Sequence, residues 1–310
     1  MYGISSYSME SLYVLLSIKL FLCCVGILLH GVGIYALSKS KRLRTDEVRI
    51  LVSLSMSELI MLVKMTSDAI VGYQLYQDQH YGESPSFPEF LKQVLNDGIK
   101  YKTVLFLKNV GIGMIVANLM LLSMNRFVHT MLPLRYAASA QDKSIFQKLI
   151  YSLWIIIPSI CLLVIKNEKI VMFFSIGLTL LTIIVISVCY VLIAIKVRSA
   201  RRTLIAAGWV SNQNAERQRQ WKKQMVPLLI IVTFFLFYLI PYTTQVFSFN
   251  VNKGAFTHEK HLFVEGLSCV EVVGFISDAV IYIFFTKKSG DTVKDLFCCR
   301  TNAVRASTTR

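Results

Sequence analysis

Apolar runs close to the length of a bilayer crossing, separated by short polar stretches, organise the whole chain. They fall at Leu12–Leu37, Val48–Gln74, Thr103–Val128, Phe146–Ile165, Ile170–Lys196, Gln224–Phe249 and Leu262–Phe285. A helix needs about 20 mostly apolar residues to cross hydrocarbon, where the backbone must satisfy its own hydrogen bonds. The pattern therefore predicts an all-α membrane protein, a bundle of seven transmembrane helices. Only Lys166-Asn167-Glu168-Lys169 separates the fourth run from the fifth, which predicts a tight turn. Beyond the seventh, Val293, Leu296 and Phe297 stand at i, i+3, i+4, the spacing of a short amphipathic helix lying on a membrane face. The chain divides into an outer N-terminus (1–11), a membrane domain (12–285), and a cytoplasmic amphipathic helix with its tail (286–310).

Composition agrees with that division. Of the 310 residues, 55% are hydrophobic and 16% charged, and mean hydropathy is +0.56, whereas soluble domains carry about a quarter charged residues. The net charge of +15 is one-sided. Lys39, Lys41, Arg42, Arg44 and Arg49 follow the first run, Arg135, Lys143 and Lys148 the third, Arg198 to Lys223 the fifth, and Lys287 to Arg310 the seventh. Basic loops stay in the cytoplasm, so the N-terminus is expected outside and the C-terminus inside, at the plasma membrane. Such a charge suits anionic lipid headgroups and acidic cytoplasmic partners, not nucleic acid. No cleavable signal peptide is expected, because Met1–Ser11 lacks basic residues and Lys19 interrupts the apolar run that follows.

Of the seven cysteines, most fall inside apolar runs and read as small apolar residues. Cys298 and Cys299 end the amphipathic segment and are candidates for palmitoylation, since two acyl chains anchor far better than one. Enzyme chemistry finds little support. No phosphate-binding glycine loop, dinucleotide fingerprint or nucleophile elbow occurs, and His258-x-x-His261 lacks the further ligands of a metal site. No cofactor is expected. What stands out is Arg126 at the end of the third run. A guanidinium at the edge of hydrocarbon either snorkels to the headgroups or has a partner and a task.

The motifs around it resemble the rhodopsin-like G-protein-coupled receptors, and within them the chemosensory, odorant-receptor-like members, over about Gly26 to Cys299. Asn125-Arg126-Phe127 stands where that family has Asp-Arg-Tyr, and Pro133-Leu134-Arg135-Tyr136 matches a string common in odorant receptors. Glu58 stands at the family's second-helix aspartate, Trp154 at its fourth-helix tryptophan, Tyr190 at its fifth-helix tyrosine and Pro241 at its sixth-helix proline. Asp278-Ala-Val-Ile-Tyr282 fits the seventh-helix Asn/Asp-Pro-x-x-Tyr string. There are departures. His30 replaces an asparagine, Leu239 a tryptophan, Ala279 a proline and Tyr101 a cysteine, and Asn125 removes the arginine's acidic neighbour. The last loss implies weaker restraint of the resting state and raised basal activity.

The resemblance implies a receptor for a small extracellular ligand, an odorant or another chemosensory cue, acting on a heterotrimeric G-protein. Pro241 would permit a kink, the inner end of the bundle would open, and Arg126 and Tyr190 would face the G-protein. Lys19, Lys64, Asp68, Lys108 and Glu271 fall inside apolar runs, where charge is expensive and normally points inward. Lys64 and Asp68 are four apart and suited to pair locally. At the depth where the family binds ligands, a Lys108–Glu271 ion pair is expected to bridge the third and seventh helices, either as a bundle clamp or as a site at which an anionic ligand competes for Lys108. Asn109 and Gln245 would add hydrogen bonds, and Phe235, Phe237, Tyr242 and Phe275 apolar walls. The competing class is a transporter or channel with these charges along its path, although no repeat between halves is visible. Mapping the topology with tags at both termini is expected to place them on opposite sides of the membrane, with residue 126 at the cytoplasmic face. An even number of crossings would overturn the scheme.

Overall fold

The computed structural model describes residues 6–39, 46–78, 98–132, 145–164, 168–206, 228–244 and 258–285. They form seven helices: α1 (Ser6–Lys39), α2 (Asp46–Asp78), α3 (Gly98–Met131), α4 (Ile145–Val164), α5 (Glu168–Ala206), α6 (Leu228–Thr244) and α7 (His258–Phe285). No strand occurs among the described residues. Spans within five of the helices, α1, α3, α4, α5 and α7, are long and apolar enough to cross a membrane. The other two differ for identifiable reasons. α2 is 33 residues long, but Glu58, Lys64 and Asp68 put charge into its middle, and α6 is apolar but short. Gln245, the Pro133–Tyr136 string and Cys298 and Cys299 lie outside the described residues.

Side-chain matches fix how the helices run. Gly26 faces Leu62 while Gly72 faces Leu16, so α1 and α2 are antiparallel. Gly26 also faces Ile276 and Gly33 faces Ile283, so α1 and α7 are parallel. Gly111 meets Met61 and Asn118 meets Ser57, which sets α3 antiparallel to α2. α3 packs against α2, α4 and α5, and every residue from Val110 to Leu119 is buried. The principal core gathers Leu54, Leu62, Ile115, Leu122, Phe234 and Phe275 from four helices.

Large apolar side chains also line the outside of the bundle. Leu180, Ile184, Val188, Val191 and Ile195 line an exposed face of α5, and Phe21, Leu28, Ile155 and Leu163 are exposed on α1 and α4. Water would penalise such continuous apolar faces, whereas lipid does not. The exterior is therefore compatible with a membrane protein.

α6 departs from regular α geometry. Phe235–Leu239 form a π turn, closed by a bond from the Ile240 N–H to the Phe235 carbonyl. Pro241 follows at once. It has no N–H to give, and its ring crowds the carbonyl of Phe237 four residues back. Widening the preceding turn relieves both problems. At this level α6 and α7 come together so closely that a Cβ on Gly274 would lie 2.6 Å from the Phe237 Cβ.

Gly274→Ala is therefore expected to force the two helices apart, costing about 1–3 kcal/mol as overpacking does. Gly31→Ala, where nothing lies within 4 Å, serves as the control. Thermal unfolding of the detergent-purified chain checks both. A clear drop in Tm is expected for the first and no drop for the second.

Candidate functional site: a polar axis through the bundle

Buried polar side chains occur at three levels along the bundle. The middle level centres on Glu58 of α2, which is almost wholly buried. The Tyr282 hydroxyl of α7 donates to its carboxylate, at 3.2 Å to Oε1 and 3.4 Å to Oε2. His30 of α1 places Nδ1 3.5 Å from Oε2, and its Nε2 lies 3.0 Å from the Phe275 carbonyl. A carbonyl can only accept, so Nε2 carries a proton and donates it there. Asp278 is a hydrogen-bonding neighbour of Glu58. The Thr233 hydroxyl of α6 sits between the Ile230 carbonyl, at 2.8 Å, and Asp278 Oδ1. Four helices thus meet on one carboxylate cluster.

Beside it runs a second polar tie that the sequence reading did not single out. Asn118 of α3 donates from Nδ2 to Ser57 Oγ at 3.2 Å and to the Met114 carbonyl at 2.8 Å. Trp154 Nε1 of α4 donates to Ser53 Oγ at 2.9 Å. A serine four residues before another on α2, facing an asparagine at the matching depth of α3, is the only signal in the sequence, and it is a faint one.

At the level where α1 begins, the charges form one network. Lys19 of α1 is buried and pairs with Glu265 of α7 at 2.7 Å. Lys64 and Asp68 pair across one turn of α2. Lys108 of α3 lies with Nζ 5.7 Å from the centroid of the Tyr242 ring of α6, within cation–π range. Lys64, Asp68 and Glu271 are its charged neighbours. Glu271 in turn faces Lys64, Lys108, Lys19 and Glu265. The network therefore brings Lys64, Asp68, Lys108 and Glu271 together with Lys19 and Glu265. Asn109 spends its amide on its own helix, donating to the Leu105 carbonyl at 2.8 Å. Phe275 is buried, its ring 5.9 Å from that of Tyr238.

At the opposite level Arg126 donates from Nη2 to Glu47 in the first turn of α2. Asn125 left the arginine without an acid beside it in sequence, and the fold supplies one from another helix, where the N-terminal dipole favours a carboxylate. Tyr190 of α5 lies within electrostatic reach of both. Arg126 Nε, Asn125 Oδ1 and Tyr190 Oη are buried and have no hydrogen-bond partner among the described residues. Phe127 is only partly buried. Among the described residues no group of three or more His, Cys, Asp or Glu side chains could hold a metal ion.

No protein-family model matches the chain, and no curated protein matches it.

The middle level makes a stability prediction. Glu58→Ala removes the acceptor of the Tyr282 hydroxyl and strands a buried donor, which costs about 1–3 kcal/mol. Trp154→Phe removes one hydrogen bond to Ser53 and is expected to cost about 1 kcal/mol. Urea or thermal unfolding in detergent should rank Glu58→Ala as the more destabilising.

Proposed function

We propose that the chain is a rhodopsin-like G-protein-coupled receptor of the plasma membrane, spanning it seven times with the N-terminus outside. In this reading it senses a small extracellular ligand and activates a heterotrimeric G-protein. One observation carries the reading: the carboxylate cluster of His30, Glu58, Thr233, Asp278 and Tyr282 joins α1, α2, α6 and α7 midway between the charge network and Arg126. The Thr233–Asp278 contact in this cluster ties α6 to α7 between the two levels. The π turn beside Pro241 supports the reading, because a widened turn holds its hydrogen bonds loosely and allows α6 to rotate below it. Lys19 and Lys108, costly inside a membrane, support an inward-facing ligand level. The alternative, a transporter or channel, is favoured by the same buried charges and predicts uptake or current without any G-protein.

The Arg126–Glu47 contact supplies the resting restraint. Releasing it frees the guanidinium for a cytoplasmic partner, and its Nε and the Tyr190 hydroxyl, which have no hydrogen-bond partner among the described residues, would take hydrogen bonds there. A ligand moves such an equilibrium only by its different affinities for the two states.

Nucleotide exchange in membranes carrying the chain and a promiscuous G-protein tests this. Basal exchange above vector is expected. Glu47→Gln should raise it severalfold, and Arg126→Ala should abolish it at equal surface expression. Exchange indifferent to both substitutions, together with substrate uptake or current, would replace the receptor with the transporter.

A further inference from the structure

We propose that the buried cluster of Glu58, Asp278 and His30 is a proton-binding site, with one proton resident on Asp278 and donated to Glu58. The inference goes beyond the receptor reading. It requires only the bundle, and its test uses no G-protein.

The hydrogen-bond geometry calls for a donor that the ionised cluster lacks. Glu58 receives the Tyr282 hydroxyl at 3.2 Å and 3.4 Å from its two oxygens, the behaviour of an acceptor. Asp278 is nevertheless its hydrogen-bonding neighbour, and two carboxylates have no hydrogen to share. On its other side Asp278 meets Thr233, whose single hydroxyl proton also faces the Ile230 carbonyl at 2.8 Å. A proton on Asp278 supplies the missing bond. It also removes one of two like charges in contact, which is how paired carboxyls commonly settle.

His30 provides a second, independent observation. It is 0% exposed, and its Nε2 proton goes to the Phe275 carbonyl. Nδ1 then carries a bare lone pair. It lies 3.5 Å from Glu58 Oε2 and has no hydrogen-bond partner among the described residues. Buried polar atoms are normally satisfied. Here, as between Glu58 and Asp278, an acceptor faces an acceptor, and what is wanting is a hydrogen.

No other group neutralises the pair. α1 presents His30, α6 Thr233 and α7 Tyr282, while α3 brings the neutral Asn118 to Ser57 beside Glu58. No lysine or arginine among the described residues lies within electrostatic reach of either carboxyl. The same residues include no group of three or more side chains fit for a metal ion. A proton, the smallest cation, meets the need without a cavity.

The proton lets α2 and α7 meet, and Thr233 extends that tie to α6. When base removes it, the O–H bond of Asp278 breaks, the electron pair stays on the oxygen, and two carboxylates repel across the helix contact. The folded chain thus holds a proton that an unfolded aspartate gives up to water. Stability therefore falls as pH rises above the ordinary aspartate range, by up to about tenfold in the folding constant per pH unit.

The test uses the purified full-length chain in nanodiscs and sodium-free buffer. Infrared spectra at neutral pH are expected to show a carboxylic-acid C=O absorption that shifts in D2O and on isotope labelling of the aspartate carboxyls. The other two described aspartates whose surroundings are known, Asp46 and Asp68, are paired with Arg49 and Lys64. The band should disappear in Asp278→Asn and persist in Glu271→Gln. On moving from mildly acid to mildly alkaline pH, Tm of Asp278→Asn should fall less than half as far as that of the unsubstituted chain. The proposal is overturned if no aspartate-derived acid band exists at neutral pH, if the band survives Asp278→Asn, or if added sodium abolishes it with a saturable rise in Tm, which would give the site to a metal cation. The labelled, unsubstituted chain decides the matter even where a variant fails to fold.

Discussion

A low-dielectric interior solvates no ion and no unpaired amide, and the polar pairing in this bundle follows from that constraint. The outward faces of α1, α4 and α5 are apolar, which leaves the charged residues of α1, α2, α3 and α7 only one place to go. Once inside, they must find one another, because a solitary buried charge is far costlier than a paired one. The result is a bundle whose polar side chains form three stacked levels, each joining helices distant in sequence: Lys19 to Glu265, Glu58 to Tyr282 and Arg126 to Glu47. The apolar core holds the helices together without distinguishing one register from another. The polar pairs specify which residue of one helix stands beside which residue of the next.

Helix positions were legible in the sequence because the signal is simple and long. Each apolar run has a counterpart among the described helices, and the charges that set α2 apart are visible as Glu58, Lys64 and Asp68. Partners across the bundle were not legible. Glu47 sits in the first turn of α2 and looks like an ordinary helix-start acid; nothing in its surroundings in the chain points to Arg126, 79 positions away. Glu265 likewise looks like a residue near the end of an apolar run. Lys108 and Glu271 were readable as inward-facing, since their cost in lipid is local, but the ring of Tyr242 beside Lys108 depends on the rotation of α6. That rotation is set by the π turn, which inserts an irregularity that no periodic pattern can anticipate. Pro241 announces that the ladder of hydrogen bonds is broken, yet it does not say whether the helix bends or widens.

The aromatic ladder of α6 shows the two effects acting together. Phe234, Tyr238 and Tyr242 stand four residues apart and stack successively, with centroids 5.1 Å and 5.8 Å apart. The ladder crosses the π turn without interruption. It therefore links Thr233, bound to Asp278, to Tyr242, beside Lys108, by packed rings. Packed rings move as a set more readily than they separate, so the two polar levels that α6 touches are mechanically coupled even where no hydrogen bond runs between them.

Close apposition at Gly274 gives this coupling a geometry. Where two backbones nearly touch they cannot slide apart cheaply, but each can swing about the point of contact. Phe237 on Gly274 thus behaves as a fulcrum, with the aromatic residues near Lys108 on one arm and the stretch down to Leu228 on the other. That second arm is about 14 Å long at the rise of an ordinary helix. A tilt of a few degrees, produced by a sub-ångström displacement close to the pivot, becomes a far larger excursion at the tip, and any lengthening of the arm multiplies it further.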